Sequence, residues 1–188
     1  GSDGNLWFTE YGTEKIGKIT TSGTITEYGL PSESGPWQIT AGPDGNVWFT
    51  DLGTEKISKI TTSGTITEYG PLPAGSGPAG ITTGPDKNLW FTDWGTSKIG
   101  KITTSGTVTE YSIAKESSPA YGIVAGPDGD LWFTESGSSK IGRITTSGVV
   151  TEYSLLSGSY DPFGIAVGPD DNVWFTASGP NKIGKITP

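Results

Sequence analysis

The sequence predicts an all-β protein of the β-propeller class, and three observations lead to this prediction. A Trp-Phe-Thr step recurs five times along the 188 residues, each time at a similar distance from the last. Each repeat divides at Gly and Pro turn signals into four short runs that are typical of strands. The chain is also rich in Thr, Ile and aromatic residues and contains 30 Gly, a composition that suits thin sheets joined by tight turns.

The spacing of the repeats is the strongest of these observations. The five tryptophans, at intervals of 41, 42, 42 and 42 residues, are Trp7, Trp48, Trp90, Trp132 and Trp174. A fixed period in this range indicates a propeller, a solenoid or another array of supersecondary units. The predicted units cover residues 1–41, 42–83, 84–125, 126–167 and 168–188. A parallel β-solenoid is the alternative, although its coils are usually shorter and need fewer hairpin turns.

One unit, "GPWQITAGPDGNVWFTDLGTEKISKITTSGTITEY", predicts its four strands in order. The first surrounds Ile39 and ends at the Gly-Pro-Asp-Gly turn of residues 42–45. The second, 47–50, has consecutive large apolar residues, which indicates that both faces of the sheet are covered. The third covers 56–60. The fourth, 65–69, alternates and is rich in Thr and Glu, as a wet outer edge should be. We therefore expect each Trp-Phe pair to pack one blade against its neighbours.

The positions at which the repeat units begin and end in this sequence predict an incomplete ring. The sequence begins inside a unit, at its second strand, and stops inside another, after its third strand. We expect about 4.5 to 5 blades in a ring that is incomplete or has an imperfect seam. The first residue is not Met, so a processed product or a fragment is expected. Open end blades would expose apolar surface and unpaired strand edges, which predicts self-association as a homo-oligomer or completion of the ring by a second copy.

Composition excludes several classes of partner. The formal net charge is −8, from 20 acidic and 12 basic residues, and no basic stripe is visible. Binding to nucleic acid or to an anionic membrane is therefore not expected. No apolar run approaches the ~20 residues of a membrane-spanning helix. Cys is absent, which excludes disulfides and thiolate metal sites.

The repeat phrases "GPDGNVWFTD", "GTEKISKITTSGTITEY" and "GPDGDLWFTESGSSKIGRITTSG" resemble those of the virginiamycin B lyase (streptogramin lyase) family, a relative of NHL-repeat propellers. The resemblance implies a propeller of about seven blades and an extracellular or periplasmic location. It also implies the activity of the lyase members, which open a cyclic depsipeptide antibiotic by elimination, using histidine and a magnesium ion held near carboxylates. This sequence contains no histidine, so no catalytic histidine of the family can be placed on any position.

One face of the predicted propeller varies between repeats. The Gly-Pro-Asp and Thr-Thr-Ser-Gly turns hardly change, whereas the loops from fourth to first strand and from second to third strand diverge. A rigid scaffold with one varied face usually binds there, so we call this the variable-loop face and expect a small-molecule, glycan or protein ligand on it. The candidate ligand-binding residues are Tyr11, Trp37, Trp94, Tyr121, Tyr160 and Phe163. For Trp37 and Trp94, the alternative is that both pack under the long loops.

A row of carboxylates ends the second strands on the same face. Its members are Glu10, Asp51, Asp93 and Glu135, and the fifth repeat has Ala177 instead. Such a row could ring a channel mouth and bind Mg²⁺ or Ca²⁺ through oxygen ligands. The alternative is that each carboxylate caps a turn or pairs with the lysine that follows it. Those lysines are Lys15, Lys56, Lys98 and Lys140.

Two classes of function follow from the sequence. The first is a non-catalytic propeller without a cofactor, acting as a binding or assembly module. The absence of histidine and cysteine favours it, because no nucleophile with its activating base is evident. The second is a divergent metal-dependent lyase that uses the carboxylate row.

Overall fold

A computed structural model of the chain describes residues 1–113, 120–155 and 160–188. The described residues form five antiparallel sheets in which consecutive strands are neighbours. Sheet 1 contains β1 (Leu6–Glu10), β2 (Lys15–Ile19) and β3 (Ile25–Gly29). Sheet 2 contains β4 (Pro36–Ala41), β5 (Val47–Asp51), β6 (Lys56–Ile60) and β7 (Ile66–Tyr69). Sheet 3 contains β8 (Pro78–Thr83), β9 (Leu89–Asp93), β10 (Lys98–Ile102) and β11 (Val108–Ser112).

The last two sheets repeat this order. Sheet 4 contains β12 (Ala120–Ala125), β13 (Leu131–Glu135), β14 (Lys140–Ile144) and β15 (Val150–Ser154). Sheet 5 contains β16 (Pro162–Val167), β17 (Val173–Ala177) and β18 (Lys182–Ile186). Single 3₁₀ turns cover Tyr11–Thr13 and Ser136–Ser138. No helix in the described part of the chain is long and apolar enough to cross a membrane.

The predicted β-propeller class is confirmed, and the ring is not closed. The inner strands β4, β8, β12 and β16 contact one another in chain order, so the sheets surround a common axis. Exposure at the two ends shows the opening. Leu6 of sheet 1 and Ile183 of sheet 5 are both 71% exposed, whereas Leu89, the counterpart of Leu6 in sheet 3, is fully buried.

The Trp-Phe step joins each of the three central sheets to both of its neighbours. Because successive side chains of a strand point to opposite faces, Trp48 packs toward sheet 3, against Ile81 and Phe91. Phe49 points the other way and lies in a cluster with Trp7 of sheet 1. Both Trp48 and Phe49 are fully buried. The interpretation of the repeated step as the packing unit between blades agrees with this arrangement.

The turns on the face opposite the variable loops are held by one repeated aspartate. Asp44 accepts hydrogen bonds from Trp48 Nε1 at 2.9 Å and from Asn46 Nδ2 at 2.8 Å, and it pairs with Lys59 Nζ at 3.3 Å. Lys59 Nζ also lies 5.0 Å from the centre of the Trp48 ring and donates to the carbonyl of Thr104 in the next sheet. The aspartate therefore connects a turn, a core tryptophan and the neighbouring blade.

Candidate functional site

A belt of threonines connects the inner strands of neighbouring sheets. Each inner strand has a β-bulge after its first residue, which removes peptide groups from the strand ladder. Thr92 Oγ1 accepts a hydrogen bond from the Gly80 N–H and donates one to the Tyr121 carbonyl of the next sheet, both at 2.8 Å. Thr50 joins Gln38 to Ala79 in the same way. We call the equivalent residues the threonine belt: Thr9, Thr50, Thr92, Thr134 and Thr176.

The belt fixes the residue at the bulge of every inner strand. These residues are Trp37, Ala79, Tyr121 and Phe163, so three aromatic side chains and one alanine occupy equivalent positions on the inner strands. The rings of Tyr121 and Phe163 are 4.7 Å apart between centroids. Because the C=O and the N–H of the peptide group after each of these residues are both hydrogen-bonded, the side chains are presented on a fixed backbone.

Two adjacent cavities, each of about 150 Å³, open between these aromatic residues. The first, which we call the aromatic groove, is lined by Trp37, Leu52, Ala79, Trp94 and Tyr121. The second shares Trp37 and Tyr121 with the first and extends to Phe163, beside Gln38 and backbone glycines. Trp37 and Trp94 are 43% and 44% exposed, although tryptophan is highly buried on average.

The six predicted aromatic residues are not all in one place. Trp37, Trp94, Tyr121 and Phe163 line the two cavities, and Tyr11 contacts the edge of Trp37 with ring centroids 5.7 Å apart. Tyr160 lies away from them. It packs on the core cluster that contains Trp132, and its N–H bonds to Ser139 Oγ. Parts of two varied loops, residues 114–119 and 156–159, lie outside the described residues.

Sequence analysis missed two residues of the groove, Leu52 and Ala79. Neither is aromatic, and neither looks unusual by itself. Only the difference between repeats could have indicated Ala79. The other inner strands have Trp37, Tyr121 and Phe163 at the equivalent position. A small residue in a ring of large ones leaves room for a guest.

The members of the carboxylate row do not act together. Each one accepts hydrogen bonds from a nearby loop or turn on this face. Asp51 Oδ1 accepts the Gly35 N–H at 2.7 Å, and Asp93 Oδ1 accepts the Gly77 N–H at 2.8 Å. Both carboxylates are buried. Glu10 and Glu135 accept the hydroxyls of Thr13 and Ser138, three residues further along. Within the described residues, no group of three or more acidic, His or Cys side chains could hold a metal ion.

The lysines that follow these carboxylates bond to a different partner. Each reaches across to a glutamate of the fourth strand, at distances between 2.6 and 3.1 Å. The pairs are Lys15–Glu27, Lys56–Glu68, Lys98–Glu110 and Lys140–Glu152. Asp51 and Asp93 each accept a hydrogen bond from the turn that follows them, as in the turn-capping alternative. All the donors to these two carboxylates are neutral N–H and O–H groups.

The chain is similar over its whole length to lyases of known structure. The model of the virginiamycin B lyase family matches residues 1–188. The crystal structure of virginiamycin B lyase from Staphylococcus aureus is 47% identical with a TM-score of 0.95, covering 100% of this chain and 64% of that one. A catalytically inactive variant of the same enzyme, solved with quinupristin, gives the same identity and TM-score over 99% of this chain and 64% of that one.

A streptogramin B lyase structure is 43% identical with a TM-score of 0.90, covering 98% of this chain and 65% of that one. The chain thus spans just under two thirds of the length of these relatives. No curated protein matches it.

Proposed function

Because the chain belongs to the virginiamycin B lyase family, we propose that it is a binding module whose aromatic groove receives an apolar or aromatic group of a ligand. The observation that carries this proposal is the pair of exposed tryptophans, Trp37 and Trp94, on either side of a cavity. Ligand sites are typically concave and mostly apolar, with aromatic walls. Exposed aromatic surface of this kind is also typical of recognition surfaces.

The rigidity of the walls supports the proposal. The threonine belt ties the peptide groups at positions 79 and 121 to neighbouring sheets, so little ordering is needed when a ligand binds. Preorganisation of this kind raises affinity because it lowers the entropy lost on association.

The chemistry of the described residues favours binding over catalysis. The sequence has no histidine and no cysteine, and the buried carboxylates Asp51 and Asp93 accept backbone N–H groups. A general base must instead lie within reach of a substrate proton. The groove therefore offers surface and shape, without an evident group that transfers protons.

Quinupristin, the molecule present with a relative, is the first ligand to test. A titration followed by tryptophan fluorescence should saturate, because Trp37 and Trp94 line the groove. Trp94→Ala should weaken binding by tenfold or more, as expected for an aromatic anchor. Val149→Ala, at an exposed residue on the opposite face, should leave affinity unchanged. Absence of saturable binding, or equal affinity of the two variants, would contradict the proposal.

A second candidate function is a lyase activity like that named for the relatives, and the 47% identity favours it. Within the described residues, Glu10, Asp51, Asp93 and Glu135 do not form a group that could hold Mg²⁺ or Ca²⁺, so this candidate rests on the identity alone. Calorimetric titration with each ion tests metal binding directly. Incubation of quinupristin with the protein and Mg²⁺, followed by chromatography, tests ring opening. Heat of binding together with a new product would establish this function over the first.

A further inference from the structure

The aromatic groove has the walls of a small cage. Trp37, Trp94 and Tyr121 contribute aromatic rings, and Leu52 and Ala79 complete the lining. Trp94 and Tyr121 have ring centroids 6.2 Å apart and planes inclined at 44°, so they converge rather than stack. The cavity of about 150 Å³ equals about five waters at their ~30 Å³ share of the liquid. That is room for about five heavy atoms.

Two carboxylates adjoin groove residues in the sequence, and one of them, Asp93, is connected to the groove wall by a hydrogen bond. Asp51 and Asp93 immediately precede Leu52 and Trp94 in the chain. Asp93 is bonded to the N–H of Gly77, and an added Cβ at Gly77 would lie 3.2 Å from Trp94 and 3.5 Å from Leu52. The carboxylate is thus separated from the groove wall by a single residue.

This negative charge is not balanced by a basic residue of the groove. Asp93 accepts only neutral donors among its hydrogen bonds, from Gly77, Gly95 and Thr96. The adjacent Lys98 is paired with Glu110 at 2.6 Å. No lysine or arginine is among the described residues that line the cavity. The formal net charge of −8 acts in the same direction.

We infer that the aromatic groove binds a quaternary ammonium group, such as a trimethylammonium head, between Trp37, Trp94 and Tyr121. This inference rests on the proposed binding function and names the chemistry of the guest. The face of an aromatic ring attracts a cation, and indole does so best. The attraction strengthens where water is excluded and a carboxylate lies near the wall.

The threonine belt adds selectivity for methylated over primary ammonium. The bulge carbonyls of Ala79 and Tyr121 already accept hydrogen bonds from Thr50 and Thr92. A primary ammonium would have to give up hydration for its N–H groups in an apolar cage that replaces few of those bonds. A trimethylammonium group has no N–H to satisfy, so it keeps the attraction without this penalty.

Three probes separate the contribution of charge from that of the methyl groups. Choline carries a trimethylammonium group, 3,3-dimethyl-1-butanol has the same shape without charge, and ethanolamine has charge without methyl groups. Titrations of the full chain followed by tryptophan fluorescence should show choline binding at least tenfold more tightly than either of the other two. Equal affinity for choline and the uncharged isostere would overturn the inference.

Two variants assign the effect to this cavity. Ala79→Trp fills the gap with the residue that the chain itself carries at the equivalent position 37, and it should abolish choline binding while the protein stays folded. Asp93→Asn keeps an acceptor for the Gly77 N–H but removes the charge, so choline affinity should fall severalfold and affinity for 3,3-dimethyl-1-butanol should not change. Unchanged choline affinity in Ala79→Trp would also overturn the inference.

The outcome is distinguishable from failure of the proposed function. If quinupristin binds in a manner that depends on Trp94 and choline shows no preference over its isostere, only the ammonium inference fails. If neither quinupristin nor choline binds, the proposed function fails with it.

Discussion

At the scale of single residues, the threonine of the Trp-Phe-Thr step connects two neighbouring sheets through its hydroxyl group. Thr92 satisfies the Gly80 N–H of its own sheet and the Tyr121 carbonyl of the next sheet with one hydroxyl. An unpaired buried peptide group costs roughly 1–3 kcal/mol. A small polar side chain thereby couples two blades at the point where the aromatic groove is built.

We expect Thr92→Val, which preserves shape but removes both hydrogen bonds, to lower the free energy of unfolding by about 3 kcal/mol. Urea denaturation measures this change. Thr92→Ser keeps the hydroxyl and should lose about 1 kcal/mol, the amount expected for one buried methyl group. Thr176→Val, which loses a single exposed hydrogen bond, is the matched control and should change stability less than Thr92→Val. An equal effect of Thr92→Val and Thr176→Val would contradict the role of the belt.

The turn aspartates predict how stability depends on pH. Hydrogen bonding by Asn5 lowers the pKa of Asp3 to about 2. Burial raises the pKa of Asp44, but hydrogen bonds from Trp48, Asn46 and Lys59 outweigh it and lower that pKa. A pKa lower in the folded than in the unfolded state stabilises the fold above about pH 4, and this contribution is lost as the pH falls toward the folded pKa.

Stability should therefore decline as the pH falls from about 4 to 2, which thermal unfolding across this range measures. Asp44→Asn removes one titrating group and should make the decline shallower, at a lower starting stability. A slope unchanged by Asp44→Asn would show that the acid sensitivity comes from other groups.

At the scale of elements, the loop that joins sheets 2 and 3 packs closely against the turn that follows β9. Asp93 accepts the N–H of Gly77, and the turn residue Gly95 lies so close that a side chain there would collide with the Gly75 carbonyl. Because Gly77 lies between the Trp94 and Leu52 side chains, this close packing also fixes one end of the aromatic groove.

Gly95→Ala should therefore lower the free energy of unfolding by about 2 kcal/mol and weaken groove binding. Gly12→Ala is the matched control, because it occupies the same place in the first repeat and an added Cβ there meets nothing within 4 Å. It should be close to neutral. Fluorescence titration and urea denaturation of both variants make the comparison, and equal behaviour would argue against a role for this packing.

The elements also show what the sequence could and could not predict. Period and strand pattern were sufficient for the blades, because Trp48 and Phe49 pack through local alternation. The groove depends on the curvature that brings Trp37 near Trp94, and no local pattern encodes that distance. Tyr160 has the same residue type as Tyr121 but packs against the core. Leu52 and Ala79 line the groove because of where the fold places them, and their residue types alone do not indicate a binding site.

At the scale of the whole molecule, the two end sheets leave apolar faces uncovered. Leu6 and Ile25 are 71% and 57% exposed on sheet 1, and Ile183 is 71% exposed on sheet 5, where Trp174 is exposed as well. A cavity of about 300 Å³ on sheet 5 is lined by Ile165, Phe175 and their apolar neighbours. Surfaces of this kind are covered inside the arc, where the neighbouring blade supplies the contact.

We predict that the 188-residue chain self-associates through these faces. Burying roughly 500 Å² of apolar surface per face would contribute on the order of 10 kcal/mol at ~25 cal/mol per Å², which must offset an association cost of about 4–15 kcal/mol. The balance places the equilibrium within a measurable concentration range. Light scattering after size exclusion should therefore show a mass that rises with concentration.

Ile183→Glu should lower that mass, whereas Val149→Glu, at an exposed residue away from both end faces, should not. A compact monomer at every concentration would show that the exposed faces are too small to hold two copies together.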